Sequence, residues 1–467
     1  MMNIARASAG WFAANVFSAV INFLAVIYFS RTLGASTLGT YFIFFSVLMV
    51  LNFLSSGGLS SATIKRISEG GDKYKLLIAS LLMRSLILLA LTAVIIIFWA
   101  QLQAYLKADA IPYLLIFLFL LQFSDLIREF LQGTYRVALS AFIDSVQQLL
   151  KILFQVILLG HGLYGMIWGL GIGIISSIGL GAVIARPKFG MPEPSNYSSL
   201  IYFSKYSYGT NLGGLIYEWL GILAVGYFLN NSEAGIYGVC WSISAVFIIF
   251  CQAISSTIYP EISGLAARNK PAEISAIFNK AVSYGPFLAL PGFFGALSLG
   301  KPLLSILYGP DFTSGTEILV ILMATRVIQS VQVVIVRTIE GLDRPDIVFK
   351  INMGTTVLNV ASALSLIVIF GAAGAALGAF ITILASALLN LHALKGILHV
   401  SFKSVLVLEL IASIVMYLVI IIMTNYMEVN SVAKLLLIIA IGASIYLSIM
   451  AFSSESRQII RNLVRQY

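Results

Sequence analysis

The chain has 467 residues, of which 60% are hydrophobic and only 10% charged, with a net charge of +9. A water-soluble fold cannot hide that much apolar surface, because burial is limited by surface-to-volume scaling. A bilayer is therefore the expected solvent, and the positive balance is read as topology and anionic-lipid contact, with no nucleic-acid partner.

About fourteen segments are long and apolar enough to span, at roughly 20 residues each. The first six lie near 10–30, 38–61, 76–99, 111–131, 140–160 and 164–185. The first is read as a span and not as a cleaved signal, being too long and followed by Ser30-Arg31-Thr32 where a small-residue cleavage site would stand. The stretch from Arg186-Pro187-Lys188 to Pro194-Ser195-Asn196 reads as a linker. Six more spans follow near 204–229, 235–258, 282–299, 315–338, 349–370 and 373–394, then two more near 404–424 and 433–452. The tail Ser454–Tyr467 carries Arg457, Arg461 and Arg465 on one face and Ile460, Leu463 and Tyr467 on another, which predicts an amphipathic helix at the membrane surface.

An internal repeat organises these spans. Gln132-Gly133-x-x-Arg136 recurs as Glu340-Gly341-x-x-Arg344 at an offset of 208, and Gly162-x-x-Gly165-x-x-x-Gly169 recurs as Gly371-x-x-Gly374-x-x-x-Gly378 at 209. Leu38-Gly39-Thr40-Tyr41 against Ala234-Gly235-Ile236-Tyr237 is a third pair, at 196. Six crossings return the chain to its starting side, so the copies are expected to be parallel repeats. The expected fold is an all-α membrane protein: an N-terminal lobe over 1–190, a C-terminal lobe over 191–400, and an appendage of two helices and the tail over 401–467. The glycine ladders read first as close helix packing, with direct ligand contact as the alternative.

With the N-terminus on the cytoplasmic side, twenty Lys and Arg fall in cytoplasmic segments against four outside, namely Arg31, Lys107, Lys301 and Lys434. That asymmetry predicts a multi-pass protein of the cell membrane with both termini cytoplasmic. No extramembrane loop is long enough to fold alone, so any chemistry lies within the membrane or at its faces.

Ionisable residues at membrane depth cost about 2.5–3.5 kcal/mol on insertion scales and need a reason. The deep candidates are Arg84, Lys151, Glu218 and Arg326; Asp125, Arg128, Glu129 and Asp144 are shallower. Asp125 and Arg128 share a helix face and can neutralise each other. Asp144 and Lys151 lie two turns apart, too far for a simple pair, so Lys151 needs a partner from another helix or water. Arg326 has no acid within reach on its own span, Glu317 being nine residues away. Snorkelling is the competing reading for Arg84. For Glu218, beside Tyr217 and Trp219, the readings are a protonated buried carboxyl or an ion-coupling site. The deep set leans basic and would attract an anionic group such as a diphosphate.

Pro286, Pro291 and Gly292 interrupt the ninth span, which predicts a bend that serves as a hinge or as a static kink. Enzyme motifs are absent: no P-loop, no His-Glu-x-x-His, no nucleophile elbow. His161, His392 and His399 are too scattered for a metal site, and no cofactor is expected. Cys240 and Cys251 stand eleven residues apart on one span, about 16 Å, too far for a disulfide.

Ser30-Arg31-Thr32-Leu33-Gly34-Ala35, Leu38-Gly39-Thr40-Tyr41, Ala234-Gly235-Ile236-Tyr237 and Leu307-Tyr308-Gly309-Pro310-Asp311-Phe312 resemble motifs of the O-antigen-type polysaccharide flippases, within the multidrug/oligosaccharidyl-lipid/polysaccharide exporter superfamily. The resemblance implies a V-shaped pair of six-helix lobes around a central cavity. It implies transport of polyprenyl-diphosphate-linked oligosaccharides across the bilayer by alternating access, with intramembrane basic residues holding the cargo. Only Arg31 lies inside a matching motif, where loop structure and cargo contact are both open readings.

The expected function is therefore a lipid-linked oligosaccharide flippase, and not an enzyme. Arg84, Lys151, Arg326 and Arg31 are expected to bind the anion, Glu218 to couple an ion, and Pro286, Pro291 and Gly292 to hinge. Membrane lipids, a polysaccharide polymerase and glycosyltransferases are expected partners of a monomer. The alternatives are a cation-coupled multidrug exporter of the same fold, and a membrane-embedded glycosyltransferase or polymerase.

Overall fold

A computed structural model describes residues 2–186, 188–398 and 404–452. The tail 454–467, expected to be amphipathic, lies outside the described residues. Every regular element among the described residues is helical. Hydrocarbon supplies no partner for backbone N–H and C=O groups, and a helix satisfies them within one segment.

The chain divides into two compact units, Met1–Gly235 and Ile236–Tyr467. The first holds α1 (Met2–Ser56), α2 (Leu59–Ser68), α3 (Lys73–Ile97), α4 (Trp99–Leu106), α5 (Ile111–Gly133), α6 (Val137–Ile157), α7 (Leu163–Ala185) and α8 (Pro194–Phe228). The division falls inside α9 (Asn231–Val246). The second unit continues with α10 (Ile249–Ala267), α11 (Pro271–Tyr284), α12 (Ala289–Leu303), α13 (Thr316–Gly341), α14 (Pro345–Lys395), α15 (Ser404–Tyr426) and α16 (Val432–Phe452).

Among the described residues nine helical runs are long and apolar enough to cross a membrane, or up to eleven when each of two bent pairs is one span. One bent pair is α4 with α5, at 99°, and the other is α9 with α10, at 47°. The second bend cuts the predicted eighth span at Phe247 and Ile248, a break that hydropathy does not announce. Two of the longest helices are also interrupted. Gly34 (φ 73°) breaks α1, and Gly371 (φ 58°, ψ −143°) breaks α14.

Gly371 has a counterpart in the other unit. Gly162, ahead of α7, holds φ 59° and ψ −130°. Such a backbone is open to glycine and strained for residues with a Cβ. A second match concerns Tyr135 and Asp343, each at φ 60°. Each sits in a turn closed by the following arginine, with Arg136 N–H donating to Leu131 O at 2.8 Å and Arg344 N–H to Ile339 O at 3.2 Å.

The ladder glycines pack backbone against backbone, as the small-residue reading expects. A Cβ on Gly165 would lie 1.9 Å from Leu158 O, and one on Gly374 would lie 2.0 Å from Leu366 O.

In the first unit a core of Leu59, Ile67, Leu76, Leu126, Phe130 and Ile143 joins α2, α3, α5 and α6. In the second, Cys251, Ile262, Phe278, Val334 and Ile339 join α10, α11 and α13. A further core of Leu299, Ala412, Met416, Leu435, Ile438 and Tyr446 fastens α15 and α16 to α12. Large apolar side chains such as Leu86, Ile97, Val368 and Ile422 stay exposed, as lipid-facing positions should.

A 3-10 turn, Gly285–Phe287, separates α11 from α12, with Pro286 buried inside it. Pro291 has no N–H to give the Phe287 carbonyl four residues earlier. The Tyr446 hydroxyl supplies the missing donor at 2.9 Å. Gly292 has a packing role: a Cβ there would sit 2.5 Å from the Phe247 ring and 2.6 Å from Met323 Cε.

Candidate functional site

The functional question concerns where the membrane-depth charges sit and what holds them. In the first unit, Arg84 on α3 is 0% exposed. Its Nη2 donates to both Glu129 oxygens, at 2.9 and 2.7 Å, and to Ser60 Oγ at 3.3 Å. Among the described residues its Nε and Nη1 have no hydrogen-bond partner. Arg84 is therefore buried and paired, and does not snorkel.

The neighbouring network is larger than sequence spacing shows. Arg128 on α5 pairs with Asp125 on its own helix and donates from Nη1 to Asp144 Oδ1 of α6 at 2.7 Å. Asn52 Nδ2 donates to Asp125 Oδ2 at 3.0 Å. Gln122 Nε2 then donates to Asn52 Oδ1 and Ser55 Oγ, both at 2.6 Å. Asp144 thus finds its partner on the adjacent helix, which leaves Lys151 to be accounted for separately.

Lys151 is half-buried on α6 and makes no ion pair or hydrogen bond among the described residues. Its helix approaches α7 closely at that level, where a Cβ on Gly173 would lie 2.8 Å from Lys151 Cβ. Arg31, three residues before the Gly34 break, is exposed, and so is Glu218 on α8; each has contacts of its own. Glu218 is thus not enclosed by the helix packing of its unit.

In the second unit, Arg326 on α13 is 4% exposed. Its Nε donates to Ser244 Oγ at 3.2 Å and its Nη1 to Gln329 Oε1 at 2.6 Å. The guanidinium carbon stands 4.4 Å from the centre of the Trp241 ring. All these partners are neutral, and among the described residues no acid pairs with Arg326. The side chain is positioned while its charge stays uncompensated, so an anion reaching it would be held by a preorganised fork beside an aromatic face.

The second unit also buries an ionisable residue that no motif or spacing marks. Glu409 on α15 is 0% exposed, and among the described residues neither carboxyl oxygen has a hydrogen-bond partner. The available signal was a lone acid inside an otherwise apolar span.

Cys240 and Cys251 are free and buried, with Sγ–H groups directed at the Gly315 and Ser330 carbonyls. Among the described residues no group of three or more His, Cys, Asp or Glu could hold a metal ion.

Comparison with known proteins adds to this geometry. A family described as polysaccharide biosynthesis protein matches residues 28–317. The probable low-salt glycan biosynthesis flippase Agl15 of Haloferax volcanii is 28% identical over 468 residues, spanning 99% of both chains. The probable flippase AglR of the same organism is 28% identical over 480 residues, spanning 100% of this chain and 99% of AglR. Among solved structures, the fold is similar to lipid II flippase MurJ in an inward closed conformation, with a TM-score of 0.80 at 18% identity, covering 96% of this chain and 99% of that one. It is also similar to an inward-facing multidrug resistance transporter of the MATE family in the MOP superfamily, with a TM-score of 0.69 at 16% identity, covering 81% and 96%.

Proposed function

Since the chain belongs to the polysaccharide biosynthesis protein family, matched over 28–317, we propose that it is a flippase moving polyprenyl-diphosphate-linked oligosaccharide from the cytoplasmic to the outer leaflet by alternating access. The observation that carries the reading is Arg326, a buried cation held, among the described residues, by the neutral partners Ser244, Gln329 and Trp241. In a low-dielectric setting such a group favours an anionic ligand, and a diphosphate is the anionic part of this cargo. Lys151, with no pair among the described residues, is the matching cation of the first unit. Arg84, buried and paired with Glu129 through Nη2, reaches an anion only when the packing around it opens. Arg31 is kept as a cargo contact near the Gly34 break, and Glu218 as an ion-coupling residue.

Fourteen crossings follow when α1 and α14 each count as two at Gly34 and Gly371, when α9 with α10, and α11 with α12, each count as one, and when the short α2 and α4 count with α1 and α5. The shared conformations of Gly162 and Gly371, and of Tyr135 and Asp343, support two copies of one unit with lobes over 1–190 and 191–400. The basic excess in alternate loops supports cytoplasmic termini in a cell-membrane protein. Glycosyltransferases would supply the cargo and a polysaccharide polymerase would consume it, the flippase itself acting as a monomer among membrane lipids.

The test is reconstitution with a labelled lipid-diphosphate oligosaccharide, and Lys151→Gln and Arg326→Gln made singly with verified folding. Both variants are expected to lose most transport; unchanged transport in both removes the anion-binding reading. For Glu218→Gln, transport with unaltered dependence on ion gradients ends the coupling assignment. A cation-coupled drug exporter is the second reading. It is favoured by the acidic balance of the α3–α5–α6 network, where Asp125, Glu129 and Asp144 face Arg84 and Arg128. A drug-susceptibility assay separates the two.

A further inference from the structure

Glu409 is buried on the face of α15 that, by helical spacing, also carries Val405, Ala412 and Met416 into the core with Tyr446. Among the described residues neither of its oxygens has a hydrogen-bond partner. Among the described residues no cation pairs with it, and a carboxyl packed in such a place favours the form that carries a proton.

Among the described residues, the titratable groups on the elements packed against α15 are few. From α11 come Glu273, Lys280 and Tyr284; from α12, Lys301; from α16, Lys434 and Tyr446; on α15 itself stand Tyr417 and Tyr426. Glu273 is exposed and paired with Lys270, and Lys280 and Lys301 are exposed. Lys434 bonds to the Glu428 carbonyl and lies twelve residues, about 18 Å along the helix, from Tyr446. Tyr284 and Tyr446 both enter the core that holds this face of α15, and of the two it is Tyr446 whose hydroxyl bonds at the break between α11 and α12.

Tyr446 already has a task. Its hydroxyl donates to the Phe287 carbonyl, the acceptor that Pro291 leaves without a helical partner, at the break between α11 and α12. One hydroxyl proton cannot serve two acceptors, and a carboxylate is a stronger acceptor than a carbonyl.

We propose that Glu409 is a proton-binding switch whose ionisation draws the Tyr446 hydroxyl away from the Phe287 carbonyl and so loosens the break at Gly285–Phe287. In the step, the Glu409 carboxyl releases one proton to water when the α12–α15–α16 seam opens, and its carboxylate accepts the Tyr446 O–H. Tyr446 keeps its own proton, and only its acceptor changes. Reprotonation returns the hydroxyl to Phe287 and closes the seam. The ligand is the proton, and the device acts on the broken helix that the second unit already contains. Its role in transport rests on the flippase reading, but the protonation site itself does not.

The test therefore needs no cargo. The full chain in lipid vesicles is treated with dicyclohexylcarbodiimide, which reacts with protonated carboxyls in apolar surroundings, and digested for mass spectrometry. An adduct on Glu409 that fades as pH rises is expected, and its absence overturns the proposal. In parallel, hydrogen exchange of the amides around Gly285–Phe287 is followed against pH, corrected for intrinsic rates. Opening is expected to grow with pH by up to about tenfold per unit, the limit for one proton. That pH dependence should vanish both in Glu409→Gln and in Tyr446→Phe, the second variant covering a fold lost in the first. Exchange that is independent of pH in the unaltered protein, or equally dependent in a folded variant, overturns the switch. Loss of transport with these signatures intact would instead count against the flippase reading.

Discussion

Arg84 and Glu129 close a buried ion pair between α3 and α5, one guanidinium nitrogen reaching both carboxyl oxygens at 2.9 and 2.7 Å. Such a pair adds little net stability, because desolvation offsets the attraction, yet removing one partner strands the other charge. Arg84→Met or Glu129→Leu alone should lower stability by about 3–5 kcal/mol, whereas the double variant should come back close to the unaltered protein. Thermal unfolding in detergent checks this; additive losses in the double variant would show that the two residues act independently.

The ladder glycines give a steric prediction. Gly165→Ala would place a Cβ 1.9 Å from Leu158 O, and Gly374→Ala one 2.0 Å from Leu366 O, whereas Gly179 on α7 has nothing within 4 Å. The first two should cost at least about 1–3 kcal/mol, as overpacked sites do, and Gly179→Ala should be neutral or slightly stabilising. Unfolding midpoints that fail to separate Gly179 from the other two would remove the close-approach account.

Much of this architecture is legible in hydropathy because a bilayer forces each crossing into a long apolar helix. The paired glycine motifs were legible too, since Gly162 and Gly371 need a backbone that other residues resist. What was hidden depends on neighbours. The partner of Asp144 is Arg128 on another helix, and spacing along one helix cannot reveal it. The bend at Phe247 and Ile248 leaves no mark on apolar content, because both sides of it are apolar. Pro286 and Pro291 signalled a break, but the tyrosine that caps it arrives from 159 residues downstream. Glu409 was visible as a lone acid in an apolar span, and only the packing shows that it faces inward.

Arg326 should tolerate loss of charge and loss of shape differently. Arg326→Lys keeps the cation but gives up the planar fork on Ser244 and Gln329 and the stacking on Trp241. Transport of a lipid diphosphate should fall in Arg326→Lys and fall further in Arg326→Gln. Trp241→Leu should weaken the site through the cation–π contact, by roughly 0.5–2 kcal/mol. Cargo affinity measured for the three variants tests the order; a lysine variant as active as the parent would reduce Arg326 to a point charge.

The Tyr446–Phe287 bond is present because Pro291 withholds a helical donor, and that causal order can be measured. Tyr446→Phe should cost about 0.6–1.7 kcal/mol, the range for hydrogen bonds between membrane helices. Pro291→Ala restores an N–H that can serve the Phe287 carbonyl within α12. In the Pro291→Ala background the tyrosine hydroxyl then becomes dispensable, and Tyr446→Phe should cost close to nothing. The difference between the two backgrounds is the coupling energy of a double-mutant cycle. Equal losses in both would mean that Tyr446 serves the seam by packing alone.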